Sequence, residues 1–261
     1  MQERQTDRIR YFNELAATCE KYFLPYISKF ASPENGMEVL EIGCGDGGNL
    51  LPFSRRGCRV LGVDMSPSRI AVARECFHAA GAEGQFMAAD IFTVPELEHR
   101  FGLIICHDVL EHIADKQLFL LNLRRYLAPG GRVFMSFPAW QMPFGGHQQI
   151  CHSRILSHLP FFHLLPKGLY RLLLRTAGDP SGIVNELMDI KETRCPIELF
   201  ERLARQSGFT LTDRTLYLIN PHYETKFGLR PRLLPAFIGA LPWVRNFFTT
   251  FCFYIMEPNK E

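Results

Sequence analysis

Between residues 37 and 137 short apolar runs alternate with helix-length amphipathic stretches, the pattern left by parallel strands joined through crossover helices. Strands are expected at 37–42, 59–63, 85–88, 103–106 and 132–137. Helices are expected at 49–56, 67–80 and 116–127, the last stopped by Pro129, Gly130 and Gly131. From 138 to 193 the rhythm breaks, and prolines, aromatics and four histidines follow one another with little alternation, which predicts a helical insertion on the sheet. It returns with a helix at 196–206, a strand at 210–218 and an aromatic-rich strand at 247–256. A second insertion, 220–245, separates those strands and carries four basic residues against one acid. The first 30 residues pattern as helices packed over the side of the sheet where such folds bind nucleotides. The reading is an α/β, doubly wound, Rossmann-like fold with a seven-stranded, mostly parallel sheet, helices on both faces and a helical insertion after strand five. One domain spans 1–261: N-terminal helices (1–36), a core (37–137), a cap insertion (138–193) and C-terminal strands with the second insertion (194–261).

Composition narrows the function classes. The 29 Lys and Arg against 27 Asp and Glu leave a net charge of +2, so no strong field points to nucleic acid. A hydrophobic share of 47% supplies a substantial core and excludes wholesale disorder. Eight cysteines without a CxxC pair do not form a disulfide framework, and the first ten residues carry charges where a secretory signal needs an apolar run; both predict a cytoplasmic protein. The segment 233–256 is apolar, yet Pro235, Pro242 and Arg245 argue against a spanning helix, which leaves contact with a membrane surface through 227–256.

The strongest chemical signal is Val39-Leu-Glu-Ile-Gly-Cys-Gly-Asp-Gly-Gly48, a glycine-rich turn that leaves a buried strand and opens a helix, bringing backbone amides close to a ligand. Gly43, Gly45 and Gly48 also satisfy GxGxxG, so the glycines alone do not choose a cofactor. Glu41, two residues before the first glycine, would repel a pyrophosphate but suits an amino acid's ammonium group. Asp64 ends the second strand, where a carboxylate can accept ribose hydroxyls, and Asp90 follows the third, placed to accept from an adenine amino group. At these residues the chain resembles the class I S-adenosylmethionine-dependent methyltransferases. LEIGCGDGG looks like their first motif, VLGVDMS their second, AAD at Ala88 to Asp90 their third, and LAPGGRVFMSFP their strand-five signature. The resemblance implies that Glu41, Gly43 and Gly45 hold the methionine part, Asp64 the ribose, and Asp90 with Ile91 the adenine; Cys44, Met65 and His107 complete the candidate cofactor contacts.

The acceptor side offers two groups. Asp108, Glu111 and His112, at i, i+3 and i+4 after the fourth strand, would share one helical face. This stretch is similar to that of the ubiquinone-biosynthesis O-methyltransferases, where two acids and a histidine bind a divalent ion; Asp in place of the first Glu departs from their pattern. Metal binding, with Mg as the candidate ion, a polar cleft wall and direct base catalysis all stay open for the set. The second group is His147 in Phe144-Gly-Gly-His-Gln-Gln149, favoured over His112 as the base for an acceptor hydroxyl because the cap borders the expected acceptor pocket while His112 is expected near the cofactor's methionine end; Gly145-Gly146 is expected to serve as a hinge by which the cap closes over the acceptor. His147, Cys151 and His152 also imitate part of a zinc site. Trp140, Phe144, Phe161, Phe162 and Tyr170 make the cap apolar, either as its own core or as a pocket for an apolar or aromatic acceptor. The expected function is methyl transfer from S-adenosylmethionine to a small-molecule acceptor, most readily at a hydroxyl, with no nucleic-acid partner: Cys106-His-Asp-Val stands where DNA-adenine methyltransferases carry an Asp/Asn-Pro-Pro-aromatic loop. The alternatives are an NAD-dependent Rossmann oxidoreductase, opposed by Glu41 and by the lack of a Tyr-x-x-x-Lys pair after strand four, and a non-catalytic relative that keeps the fold. Oligomeric state is not written in any motif.

Overall fold

The computed structural model describes residues 7–259. Helix α1 (Arg8–Thr18) starts at Asp7, whose carboxylate accepts the Arg10 N–H at 2.9 Å, and a π-helical turn leads into α2 (Leu24–Ile27). The core then alternates: β1 (Glu38–Ile42), α3 (Leu51–Arg55), β2 (Arg59–Asp64), α4 (Pro67–Ala79), β3 (Gln85–Ala88), β4 (Phe101–His107), α5 (Lys116–Tyr126) and β5 (Leu127–Phe137). The cap carries α6 (Arg154–His158), α7 (Lys167–Thr176) and α8 (Ser181–Thr193). After it come α9 (Ile197–Gln206), β6 (Phe209–Ile219), α10 (His222–Phe227), β7 (Arg232–Leu233), α11 (Ala236–Gly239) and β8 (Phe251–Pro258).

The strands form one eight-stranded sheet in the order β3-β2-β1-β4-β5-β8-β6-β7. β1 to β5 pair in parallel, and β8 lies antiparallel between β5 and β6. The inner strands β1, β2, β4 and β5 read as nearly continuous apolar runs because helices cover both of their faces. Two buried clusters result, one on each face, with Leu40, Ile104 and Phe119 in the first and Val39, Phe53 and Phe134 in the second. The eighth strand, beyond the seven expected, is β7, a two-residue edge pairing of Leu233 with Tyr217 inside the second insertion; two residues carry no readable periodicity. β5 begins at Leu127 rather than 132, because Leu127 pairs with Phe101 and Pro129, Gly130 and Gly131 bulge out before Arg132 rejoins the ladder opposite Leu103. The cap closes on its own cluster around Phe162, Tyr170 and Leu187.

Candidate active site

The loop from β1 to α3 folds as a glycine-rich turn for steric reasons. Gly43 sits at φ +69°, and a Cβ there would lie 2.4 Å from Val109 Cγ2, so only glycine lets the turn pass the end of β4. Behind it Glu41 is 1% exposed. Its Oε1 accepts from Asn49 Nδ2 at 2.8 Å, and its Oε2 has no hydrogen-bond partner. Burial pushes this carboxyl up to about 8, and Asp64 pushes the same way against the donation from Asn49. A buried acid with one unpaired oxygen beside a glycine turn fits a cationic ammonium group.

Asp64, at the carboxyl end of β2, accepts the Gly45 N–H at 2.9 Å with Oδ2 and the Ser66 N–H at 2.8 Å with Oδ1. Each oxygen keeps a lone pair for a further donor such as a ribose hydroxyl. Asp90 accepts the Phe92 N–H at 3.0 Å and opens the turn Ile91–Thr93; Ile91 is buried, and its carbonyl accepts from Tyr126. Met65 is exposed after Asp64, Cys44 is buried within the turn, and the buried His107 packs on Phe23 and Phe251 with Nδ1 2.9 Å from Ser136 Oγ. These positions place Glu41, Gly45 and Asp64 around one turn, whereas the His107 ring turns into the layer between the sheet and the N-terminal helices.

On the acceptor side the structure corrects the expected grouping. Asp108, at φ +53°, precedes a single 3₁₀ turn, Leu110–His112, so Asp108, Glu111 and His112 share no α-helical face. Asp108 instead lies 3.5 Å from His107 Nε2, and desolvation pushes it up to about 6 despite the pull of His107. The partner of Glu111 and His112 is His147, which the cap brings from the other side. Glu111 Oε1 is 3.9 Å from His147 Nε2, the two imidazole rings are 4.9 Å apart, and one ligand atom from each of the three residues falls within 4.8 Å of the others. Glu111 is buried, and neither carboxylate oxygen has a hydrogen-bond partner. Burial alone would raise its pKa, but His147 and His112 outweigh it and hold the carboxyl below its usual range. Burial would lower His147, and Glu111 overcomes that and raises it; for His112 burial wins and the ring stays neutral. The partial zinc set is not assembled, since Cys151 is buried in the cap's own core and His152 is exposed.

The loop bearing His147 rests on a residue no motif singled out. A Cβ on Gly145 would come 2.8 Å from both His163 Nε2 and the Trp140 carbonyl, and one on Gly146 would come 2.9 Å from His163 Cβ. The two glycines are there for close packing rather than as a hinge. His163 Nε2 donates to the Trp140 carbonyl at 2.7 Å, and Lys191 Nζ donates to the His163 carbonyl at 2.6 Å. Burial drives the His163 imidazole down to about 4, so the support is neutral. Beyond His112 a cleft of about 380 Å³ opens against α8, lined by Asn185, Glu186, Asp189, Ile190 and Thr193. Of the cap aromatics, Phe162 and Tyr170 belong to the cap's own core, whereas Phe144 and Phe161 stay exposed. Residues outside every motif also reach the glycine turn: Arg8 pairs with Asp46 at 2.9 Å, and Arg69 of α4 lies 3.1 Å from where a Gly45 Cβ would stand. Asn49 was legible in principle, because the turn fixes its distance from Glu41. Arg8 and His163 are placed by tertiary packing alone.

The domain family described as "Methyltransferase domain" matches residues 40–135, from β1 into β5. A Rhizobium etli protein named ubiquinone biosynthesis O-methyltransferase is 30% identical over 195 residues, covering 74% of this chain and 68% of its own length. Among solved structures, a geranyl diphosphate methyltransferase in complex with S-adenosylmethionine superposes with a TM-score of 0.57 at 16% identity, covering 93% of this chain and 85% of that one. The [4+2]-cyclase SpnF superposes equally well, TM-score 0.56 at 13% identity over 91% of this chain and 80% of that one, so the fold by itself does not choose the reaction. The ordered motifs, the ammonium-ready Glu41 and the sequence relatives do choose it over an oxidoreductase: the chain belongs to the S-adenosylmethionine-dependent methyltransferases.

Proposed function

We propose that this enzyme moves the methyl group to a hydroxyl oxygen of an apolar or aromatic small molecule bound where the cap meets the sheet, with His147 taking the hydroxyl proton. One observation carries the reading: the buried Glu111 carboxylate has no hydrogen-bond partner and faces two imidazoles where the cap meets the sheet. S-adenosylmethionine supplies a methyl group already activated by its sulfonium charge, so the chain's task is alignment and proton removal. Glu41 binds the ammonium end, Asp64 the ribose hydroxyls and Asp90 the adenine. His147 accepts the proton, and the ionised Glu111 stabilises the imidazolium that results. The name of the Rhizobium relative supports an oxygen acceptor. The eight cysteines, all free and buried, support a reducing compartment such as the cytoplasm.

A second reading rests on the same cluster. One carboxylate and two imidazoles form a donor set that fits zinc, manganese or iron better than magnesium, which prefers oxygen ligands. An ion held by Glu111, His112 and His147 would lower the acceptor hydroxyl's pKa. Chelator treatment followed by activity assay separates the two. Full activity after chelation, with a loss of about 100-fold to 10,000-fold in His147→Ala and unchanged cofactor affinity, supports the base. Activity that chelation abolishes and zinc or manganese restores assigns the metal, and near wild-type turnover in His147→Ala contradicts both.

A further inference from the structure

The exposed apolar side chains coincide with gaps in the chain's acids. No Asp or Glu occurs between Asp115 and Asp179, nor between Glu224 and Glu257. The near-neutral total therefore hides a separation of charge, because both stretches carry only bases, among them the exposed Arg154, Arg171, Arg175, Arg230 and Arg232. In the second stretch Phe237 is 74% exposed and Trp243 58%, with Leu241, Val244, Phe247 and Phe248 exposed beside them. Phe161 of the cap lies against Phe247, ring centroids 6.1 Å apart, and carries the patch toward the exposed Leu159.

This aromatic loop is anchored from beneath. Arg245 is buried and donates to Glu198 at 2.9 Å and Glu201 at 3.2 Å, and the buried Asn246 donates to Glu198 at 2.6 Å and accepts the Ile197 N–H at 2.8 Å. Glu198 also accepts the Trp243 N–H at 2.8 Å, while Trp243 sits at φ +65°, a strained backbone for a bulky residue. The network holds the indole outward at a conformational cost. Among the described residues no helix is long and apolar enough to cross a membrane.

An exposed apolar patch on stretches of chain that carry bases and no acids marks an interface. We propose that this face docks on the surface of an anionic phospholipid bilayer, with the aromatic and leucine side chains entering the headgroup layer and the arginines lying on lipid phosphates. Charge complementarity selects this occupant over a second copy of the chain, whose matching face would set cations against cations.

Cosedimentation of the full chain with vesicles of phosphatidylcholine, with and without phosphatidylglycerol, tests the proposal. The phosphatidylglycerol vesicles should bind about tenfold more tightly, and added salt should weaken that binding. Phe237→Ser and Trp243→Gly should each lower vesicle affinity by about tenfold; glycine accepts the Trp243 backbone without strain, so that variant removes only the indole. Arg230→Glu combined with Arg232→Glu should reduce binding to anionic vesicles alone, with circular dichroism reporting that each variant is folded. Equal binding to both vesicle types, no binding to either, folded variants that bind like the wild type, or a dimer in light scattering that Phe237→Ser dissolves would each overturn the proposal.

Discussion

Under the proposed function Glu41 faces two opposed demands, its burial in the sheet and charge for a cationic ligand. Its carboxyl titrates near 8 in the folded chain against an ordinary value of 4.5, so between those values the native state holds a proton that the unfolded chain has released. Stability of the cofactor-free enzyme should therefore fall as pH rises through this window. Glu41→Gln should remove that dependence and melt higher than the wild type at pH 8 by calorimetry. The same variant should bind S-adenosylhomocysteine about tenfold to a hundredfold more weakly in isothermal titration, the loss expected for a charged hydrogen bond; unchanged affinity would sink the ammonium role. His147 obeys the opposite sign. Glu111 raises its pKa above 6.5, and a base must be neutral to act, so the rate should climb with pH through that raised value. In Glu111→Gln the rising limb of the pH–rate profile should move to lower pH as kcat falls, and a limb that stays put would free His147 from Glu111.

Elements set how these residues meet, and the glycines beneath His147 show it. Gly145→Ala drives a methyl group against His163 and the Trp140 carbonyl, and should cost about 1–3 kcal/mol of stability in denaturant unfolding while displacing His147 and lowering kcat. Gly168→Ala is the matched control: it lies in α7 with nothing within 4 Å of its Cβ, and should be neutral or stabilise by up to about 1 kcal/mol with kcat intact. Strands β1, β2 and β3 and helix α4 were legible from apolar periodicity, because burial on both faces writes itself into consecutive residues. β7 was not, since two residues have no period. The start of β5 was not, since Leu127 joins the strand through its partner Phe101 across a bulge that reads as a helix stop. Spacing suggested a face shared by Asp108, Glu111 and His112, which a turn too short for α-helical geometry does not provide. His147 was identified from its loop, but its convergence with Glu111 depends on how the cap folds back over β4.

At the scale of the whole molecule the proposed function assigns the cofactor to the sheet and the acceptor to the cap, so catalysis should require both halves of one constellation. The test that bears most directly on this is methyl transfer itself: purified enzyme incubated with methyl-labelled S-adenosylmethionine and a metabolite extract, with the labelled product analysed by mass spectrometry and NMR. The account predicts one labelled product bearing the methyl on oxygen, formed by the wild type and lost in His147→Ala even though that variant still binds S-adenosylhomocysteine. Label on nitrogen or carbon, or an undiminished yield from His147→Ala, would contradict it.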